Sequence, residues 1–365
     1  MDFIPILYYN KIYFYIILVF VLSVYFNCVS AKMGTNTSSK TMSIIGLLLL
    51  LFVFFYIALR PISIEFGDMW TYYKHFLDLQ AGGATDFKKD PLFEYMILFF
   101  SKFSSPELFF FFCAILYVLP LYIVSKKLFN DYWVYSFIIL VSTFSFWAYG
   151  VNGIRNGFAT SLFLLAICYN NKILKFAIFL AAALFHKSLI LPIIAYFISL
   201  NYKNSKTYFY VWILVIPVSF LLGSVLENFF LNLGFGGAES LNTYLTEFDE
   251  ESEGETITVG FRWDFILYSA SVVYAAYYYI IKRNYKDEFY SQLVNIFLIC
   301  NSLWILIIRA NYSNRFAYLS WFMLGVVVIY PLLKVRLFNN QHAVIGRIML
   351  AYFALTFLYN IILVK

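Results

Sequence analysis

The chain has 365 residues, of which 62% are hydrophobic and only 13% charged, about half the charged share of an ordinary soluble domain. Apolar runs of about 20 residues, the length that crosses a hydrocarbon core as a helix, recur from end to end and leave no room for a soluble catalytic domain. A net charge of +6 would suggest nucleic acid in a soluble protein, but here the basic residues occupy short loops between apolar runs, where positive charge sets membrane orientation, and nucleic acid is excluded as a partner.

In chain order the apolar stretches fall at 11–28, 42–59, 107–124, 132–149, 157–170, 173–200, 208–226, 264–281, 292–308, 316–332 and 343–362. They predict one all-α, polytopic transmembrane domain over residues 1–365, with about eleven or twelve helices. The first stretch lacks a basic leader and a small-residue cleavage site, so it reads as a retained helix rather than a signal peptide. The loops carrying Lys32 and Lys40, Lys126 and Lys127, Lys172 and Lys175, Lys203 and Lys206, Lys282, Arg283 and Lys286, and Lys334 and Arg336 can all face the cytoplasm if 173–200 is a hairpin of two short arms. The hairpin tip, Phe185-His186-Lys187-Ser188, then lies at the outer face, as do both termini. The alternative is one continuous helix with His186 buried in mid-membrane. In the hairpin arrangement two longer loops face outward, 60–106 and 227–263, and the acidic run from Glu247 to Glu255 in the second reads as a solvated loop. Cys28, Cys113, Cys168 and Cys300 have no metal-binding or redox spacing and read as packing residues.

Lysines follow the orientation rule, but Arg60, Arg155, Arg262, Arg309 and Arg315 fall at external helix ends. A guanidinium offers planar paired donors to phosphate and stays charged beside lipid, so an external arginine cluster suits a lipid-linked diphosphate. Snorkelling of single arginines to headgroups is the competing reading. Arg155 stands out because Gly150-Val151-Asn152-Gly153-Ile154-Arg155-Asn156-Gly157 is a glycine-flanked turn opening a helix, where backbone donors also favour anions. Arg309 and Arg315 bracket a second turn.

Asp68, Tyr72 and His75 share one face at i, i+4, i+7 if a helix follows Gly67, and could line a polar cleft. The alternative is an interfacial helix with Trp70, Tyr72 and Tyr73 at headgroup level. Glu94, just after a helix start at Asp90-Pro91, could reach the same cleft. His186 is a membrane-level imidazole able to accept a proton at neutral pH, the alternative being a hydrogen-bonded core residue. No nucleophile elbow, phosphate-binding glycine loop, zinc-type cluster or nucleotide fingerprint is present.

Taken in order, Gly67-Asp68-x-x-x-Tyr72, Asn152-Gly153-Ile154-Arg155-Asn156-Gly157-Phe158-Ala159, Leu184-Phe185-His186-Lys187-Ser188 and Asn314-Arg315-Phe316-x-Tyr318 resemble the EpsG family. That family is similar to the Wzy-type polymerases of O-antigen and capsule. The chain departs from the family pattern at Asn156, where relatives carry Gln, and at Lys187. The resemblance implies a fold like the lipid-using C-type glycosyltransferases and a bacterial cytoplasmic membrane location, with the active site facing the periplasm or exterior. It implies an inverting, metal-independent polymerase without cofactor, which moves a glycan chain from undecaprenyl diphosphate onto a lipid-linked repeat unit. The implied partners are undecaprenyl-diphosphate-linked donor and acceptor, membrane lipids and a chain-length regulator. Arg155, Arg309, Arg315 and Arg60 would hold the diphosphate; His186 or Asp68 would be the general base; Tyr72, His75, Glu94 and Asn152 would contact glycan. A flippase for lipid-linked oligosaccharide and an O-acyltransferase of surface glycans are the alternative functions.

Overall fold

A computed structural model describes residues 4–30, 40–88, 90–232, 260–309 and 313–363. Lys32 and the acidic run 247–255 lie outside the described residues. The described chain is all-helical, as expected of a backbone whose polar groups must be satisfied without water. Among these residues eight helices are long and apolar enough to cross a membrane, compared with the eleven stretches read from the sequence.

The difference arises in three places. The 132–149 stretch is divided into α6 (Trp133–Val141) and α7 (Phe144–Val151) by a break at Ser142-Thr143. The 157–170 stretch is the 14-residue helix α8 (Ile154–Ile167). The 173–200 stretch is not continuous: α9 (Lys172–Phe185) stops at His186, whose backbone is extended (φ −155°, ψ 120°), and after a short 3-10 turn α10 (Ile190–Asn201) begins. The single continuous helix with an internal His186 is therefore not formed.

The chain divides into two compact units, Met1–Leu189 with Ile329–Lys365, and Ile190–Val328. In the first unit α1 (Ile6–Ser30) packs on α16 (Gln341–Leu358), α2 (Lys40–Ala58) packs on α5 (Pro106–Phe129) and α6, and α8 lies against α5, α7 and α9. Two shorter helices, α3 (Asp68–Gln80) and α4 (Pro91–Phe103), pack on each other within the segment 60–106, and α4 also meets α9.

Tyrosine hydroxyls satisfy the backbone where helices break, because a bare carbonyl in an apolar interior is costly. Tyr13 donates to the Val141 carbonyl at 3.0 Å and Tyr117 to the Phe146 carbonyl at 3.0 Å, on either side of the α6–α7 break. Tyr9 and Tyr56 stack at 4.3 Å and each donates to the other's backbone carbonyl, at 2.7 and 2.8 Å. The Tyr117 bond anchors α7, and with it the turn that carries Asn152 and Arg155.

In the second unit α11 (Ser205–Asn232), α12 (Trp263–Tyr277), α13 (Glu288–Leu306) and α14 (Ser313–Trp321) share a buried polar knot. Asn301 accepts from the Trp212 indole at 2.7 Å and donates to Ser269 and Ser320 at 3.1 and 2.9 Å, while the Trp321 indole donates to Ser269 at 2.8 Å. All four helices are thereby tied through one amide.

Candidate functional site

Gly67 ends a 3-10 turn at φ 58°, ψ −120°, and precedes the first residue of α3. A side chain is excluded there twice over, by the positive φ and because a Cβ would lie 2.7 Å from the Asn152 Oδ1. Gly67 offers α3 no side-chain cap, and Asn152 supplies one from the far end of α7: its Oδ1 accepts from the Asp68 N–H at 2.9 Å. The first two sequence motifs are thus locked together. Gly157 brings α8 close under α7, since a Cβ there would sit 2.8 Å from the Tyr149 carbonyl.

Arg155 lies in the first turn of α8, where the helix dipole opposes a cation and a nearby carboxylate is needed. Asp90 provides it, with Nη1 to Oδ2 at 2.7 Å, the carboxylate side chain being 6% exposed and the guanidinium 26%. Arg155 Nε donates to the Tyr72 hydroxyl at 3.0 Å, and the guanidinium lies 5.3 Å from the Tyr72 ring and 5.5 Å from the Phe93 ring. Nε and Nη1 are therefore engaged, which leaves Nη2 as the edge open to a ligand.

The second oxygen of Asp90 accepts from the Lys187 N–H at 3.1 Å, and the Lys187 ammonium donates to the Lys88 carbonyl at 2.5 Å. Ser188 donates its hydroxyl to Asn156 Oδ1 at 2.8 Å. Three motifs spread over residues 67–188 consequently meet around one buried carboxylate. Both departures from the family pattern, Asn156 and Lys187, lie in this network.

Asp68 and His75 sit on the same face of α3 as Tyr72, as the spacing requires. The half-buried Asp68 carboxylate is close enough to Arg155 to interact with its charge and takes no hydrogen bond from a described residue. His75 Nε2 and Glu94 Oε2 pair at 2.9 Å, joining α3 to α4. His186 Nδ1 accepts from the Ser188 N–H at 3.3 Å, so its neutral ring carries the proton on Nε2.

The remaining arginines are placed differently. Arg60 is 5% exposed, donates from Nη1 to the Ile57 carbonyl at 2.5 Å and faces the Phe110 ring at 5.6 Å; its Nε and Nη2 have no hydrogen-bond partner. It is not presented at a surface, contrary to the expectation for an external helix end. Arg309 and Arg315 belong to the second unit. Arg309 donates to the Phe220 carbonyl at 3.0 Å and lies near the Phe220 and Phe261 rings, and the half-buried Arg315 opens α14. Arg262 is held by Asp264 through two hydrogen bonds, 3.0 and 2.6 Å. Among the described residues no group of three or more His, Cys, Asp or Glu side chains is arranged to hold a metal ion.

Sequence reasoning missed Asp90 as a site residue. An Asp before Pro reads as a helix cap, yet its side chain makes no cap bond to α4 and turns to Arg155 and Lys187 instead. The one available signal was that a chain with only 20 acidic residues in 365 places Asp90 four residues before Glu94, at the start of the helix expected to reach the cleft.

The model of the EpsG family matches residues 43–365, which include every residue of this network. The chain belongs to the EpsG family. Membership makes it a multi-pass membrane protein of the polysaccharide-polymerase type, a class associated with glycosyltransferase-like chemistry. No curated protein and no solved structure matches it.

Proposed function

We propose that this EpsG-family chain is an inverting, metal-independent glycosyltransferase that polymerises lipid-linked glycan repeats at the outer face of the cytoplasmic membrane. The donor is a glycan chain on undecaprenyl diphosphate and the acceptor a second lipid-linked repeat. The observation that supports this reading is the meeting of three separate motifs at the Asp90–Arg155 pair, with one guanidinium edge and one carboxylate, that of Asp68, left for a ligand.

In the proposed reaction an acceptor hydroxyl attacks the anomeric carbon while the bond to the diphosphate oxygen breaks. The hydroxyl proton passes to Asp68, and the departing diphosphate takes its negative charge next to Arg155. His186, whose Nδ1 accepts from the Ser188 N–H, is placed in this reading as a contact to the diphosphate or glycan rather than as the base. His75 and Glu94, already paired, flank the acceptor side with Tyr72 and Asn152 as the proposed glycan contacts.

Asp90 explains how a guanidinium persists there between turnovers. An unpaired cation beside lipid is expensive, whereas a carboxylate-compensated one is tolerated and can turn its free edge to an incoming anion. The test is polymer formation from purified lipid-linked repeats by the reconstituted chain. Asp68→Asn, which keeps the shape of a side chain with no hydrogen bond to lose, is expected to lower the rate by about 100-fold or more. Full polymerisation by both Asp68→Asn and Arg155→Ala would end the assignment.

A further inference from the structure

Helix α4 has 13 residues, about 20 Å of helix and too short to cross a hydrocarbon core by itself. It buries Phe93, Ile97 and Ser101 against the rest of its unit, yet on the other side exposes Tyr95 (59%), Phe99 (60%) and Phe103 (76%) at a four-residue spacing. This exposed row lines an open groove of about 840 Å³ together with Phe112 and Leu116 of α5 and Phe185 at the end of α9. Apart from Lys102 near its far end, the lining is aliphatic or aromatic.

The position of the groove distinguishes it from the general lipid-facing surface. At its near end Leu92 follows Asp90 by two residues and Phe185 immediately precedes His186, so the groove opens where the polar network stops. Phe185 meets Phe158 at 5.2 Å, Phe158 meets Phe93 at 6.2 Å and Phe93 meets the Arg155 guanidinium at 5.5 Å, so one layer of buried rings separates the guanidinium from the groove. A ligand with a charged head at Arg155 and a long hydrocarbon tail would reach the groove by passing around this layer, past Leu92 and Phe185 at the groove's near end.

The geometry points to the α4–α5–α9 groove as the seat of the first isoprene units of a prenyl diphosphate substrate, with the aromatic row Tyr95, Phe99 and Phe103 as its wall. This rests on the diphosphate reading of Arg155 and adds the location of the lipid tail. Flat, methyl-branched isoprene units suit aromatic walls, and the open side lets the remainder of a long tail run into the bilayer.

The experiment uses the full chain in nanodiscs and a prenyl diphosphate carrying a photoreactive diazirine in its first isoprene units, with labelled peptides mapped by mass spectrometry. The expected result is labelling within residues 92–103 that excess unlabelled prenyl diphosphate removes and phosphatidylglycerol does not. Phe99→Glu is expected to reduce it by at least about tenfold, because a carboxylate against the tail is costly, whereas Phe99→Leu retains it and reports that the helix is intact. Label that prenyl diphosphate displaces but that maps to other helices would overturn the groove and leave the diphosphate reading standing. Equal displacement by phosphatidylglycerol would make the groove a site for bulk lipid and also overturn it. Absence of any displaceable label on the chain would overturn both.

Discussion

The Asp90–Arg155 pair is expected to couple energetically as well as touch. Arg155→Ala leaves a carboxylate that is 6% exposed with only the Lys187 N–H at 3.1 Å. Removing one partner of a buried pair costs about 3–5 kcal/mol. The guanidinium is 26% exposed, and in Asp90→Ala it keeps Tyr72, so the figure is discounted for solvent screening to about 2–4 kcal/mol for either single alanine change. Once one partner has been removed, loss of the second costs little more. The double variant Asp90→Ala/Arg155→Ala is therefore expected to be more stable than the sum of the singles by about 2 kcal/mol, a factor of about 30 in the unfolding equilibrium. Denaturation of the detergent-solubilised chain with a titrated anionic detergent, followed by tryptophan fluorescence, measures all four corners of the cycle. Additivity within about 0.5 kcal/mol would refute the claim that this pair organises the site. Polymerisation is expected to remain absent in the double variant, since restored packing does not restore the guanidinium edge.

Gly67→Ala is expected to cost about 1–3 kcal/mol in the same titration, and adding Asn152→Ala should recover only the part due to the steric clash, because the positive φ remains. In the second unit Asn301→Leu abolishes the amide's three hydrogen bonds and leaves the Trp212 indole without its acceptor. A loss of about 1–3 kcal/mol is expected, and a change under 0.5 kcal/mol would mean the knot is not a tie. His75→Gln together with Glu94→Gln should alter stability by less than about 1 kcal/mol, the pair being partly exposed, yet lower polymer yield; unchanged yield would remove both from the glycan contacts.

Architecture was legible where a single physical rule dominated. Runs such as 42–59, 264–281 and 292–308 are apolar over the thickness of a bilayer, and the helices Thr41–Ala58, Trp263–Lys282 and Glu288–Leu306 follow them within a few residues. The helix after Gly67 and the one after Asp90 were readable from turn and cap chemistry. The break between α6 and α7 was not, because Ser142-Thr143 brings no charge, glycine or proline, and two hydroxyl residues are compatible with a continuous apolar helix. The hydroxyls that satisfy it belong to Tyr13 and Tyr117, which only the fold brings there.

The site was legible in its members but not in its wiring. Spacing placed Asp68, Tyr72 and His75 on one face, and the glycine-flanked turn singled out Arg155, since both are local properties. Which charge would compensate Arg155 is a question about residues 65 positions apart, and periodicity is silent at that range. A grouping by type, five arginines at outer helix ends, treats equal charges as equal. The structure separates them by partner: Arg60 is buried against Phe110, Arg262 is held by Asp264, and Arg309 is held by the Phe220 carbonyl. Arg155 alone among these four couples a carboxylate partner to a surrounding set of motif residues. In a medium where an unpaired charge is costly, the partner of an arginine reveals more about its availability to substrate than its position at a helix end does. The buried Asp90 is accordingly the residue through which substitutions at Arg155 and Lys187 should be interpreted.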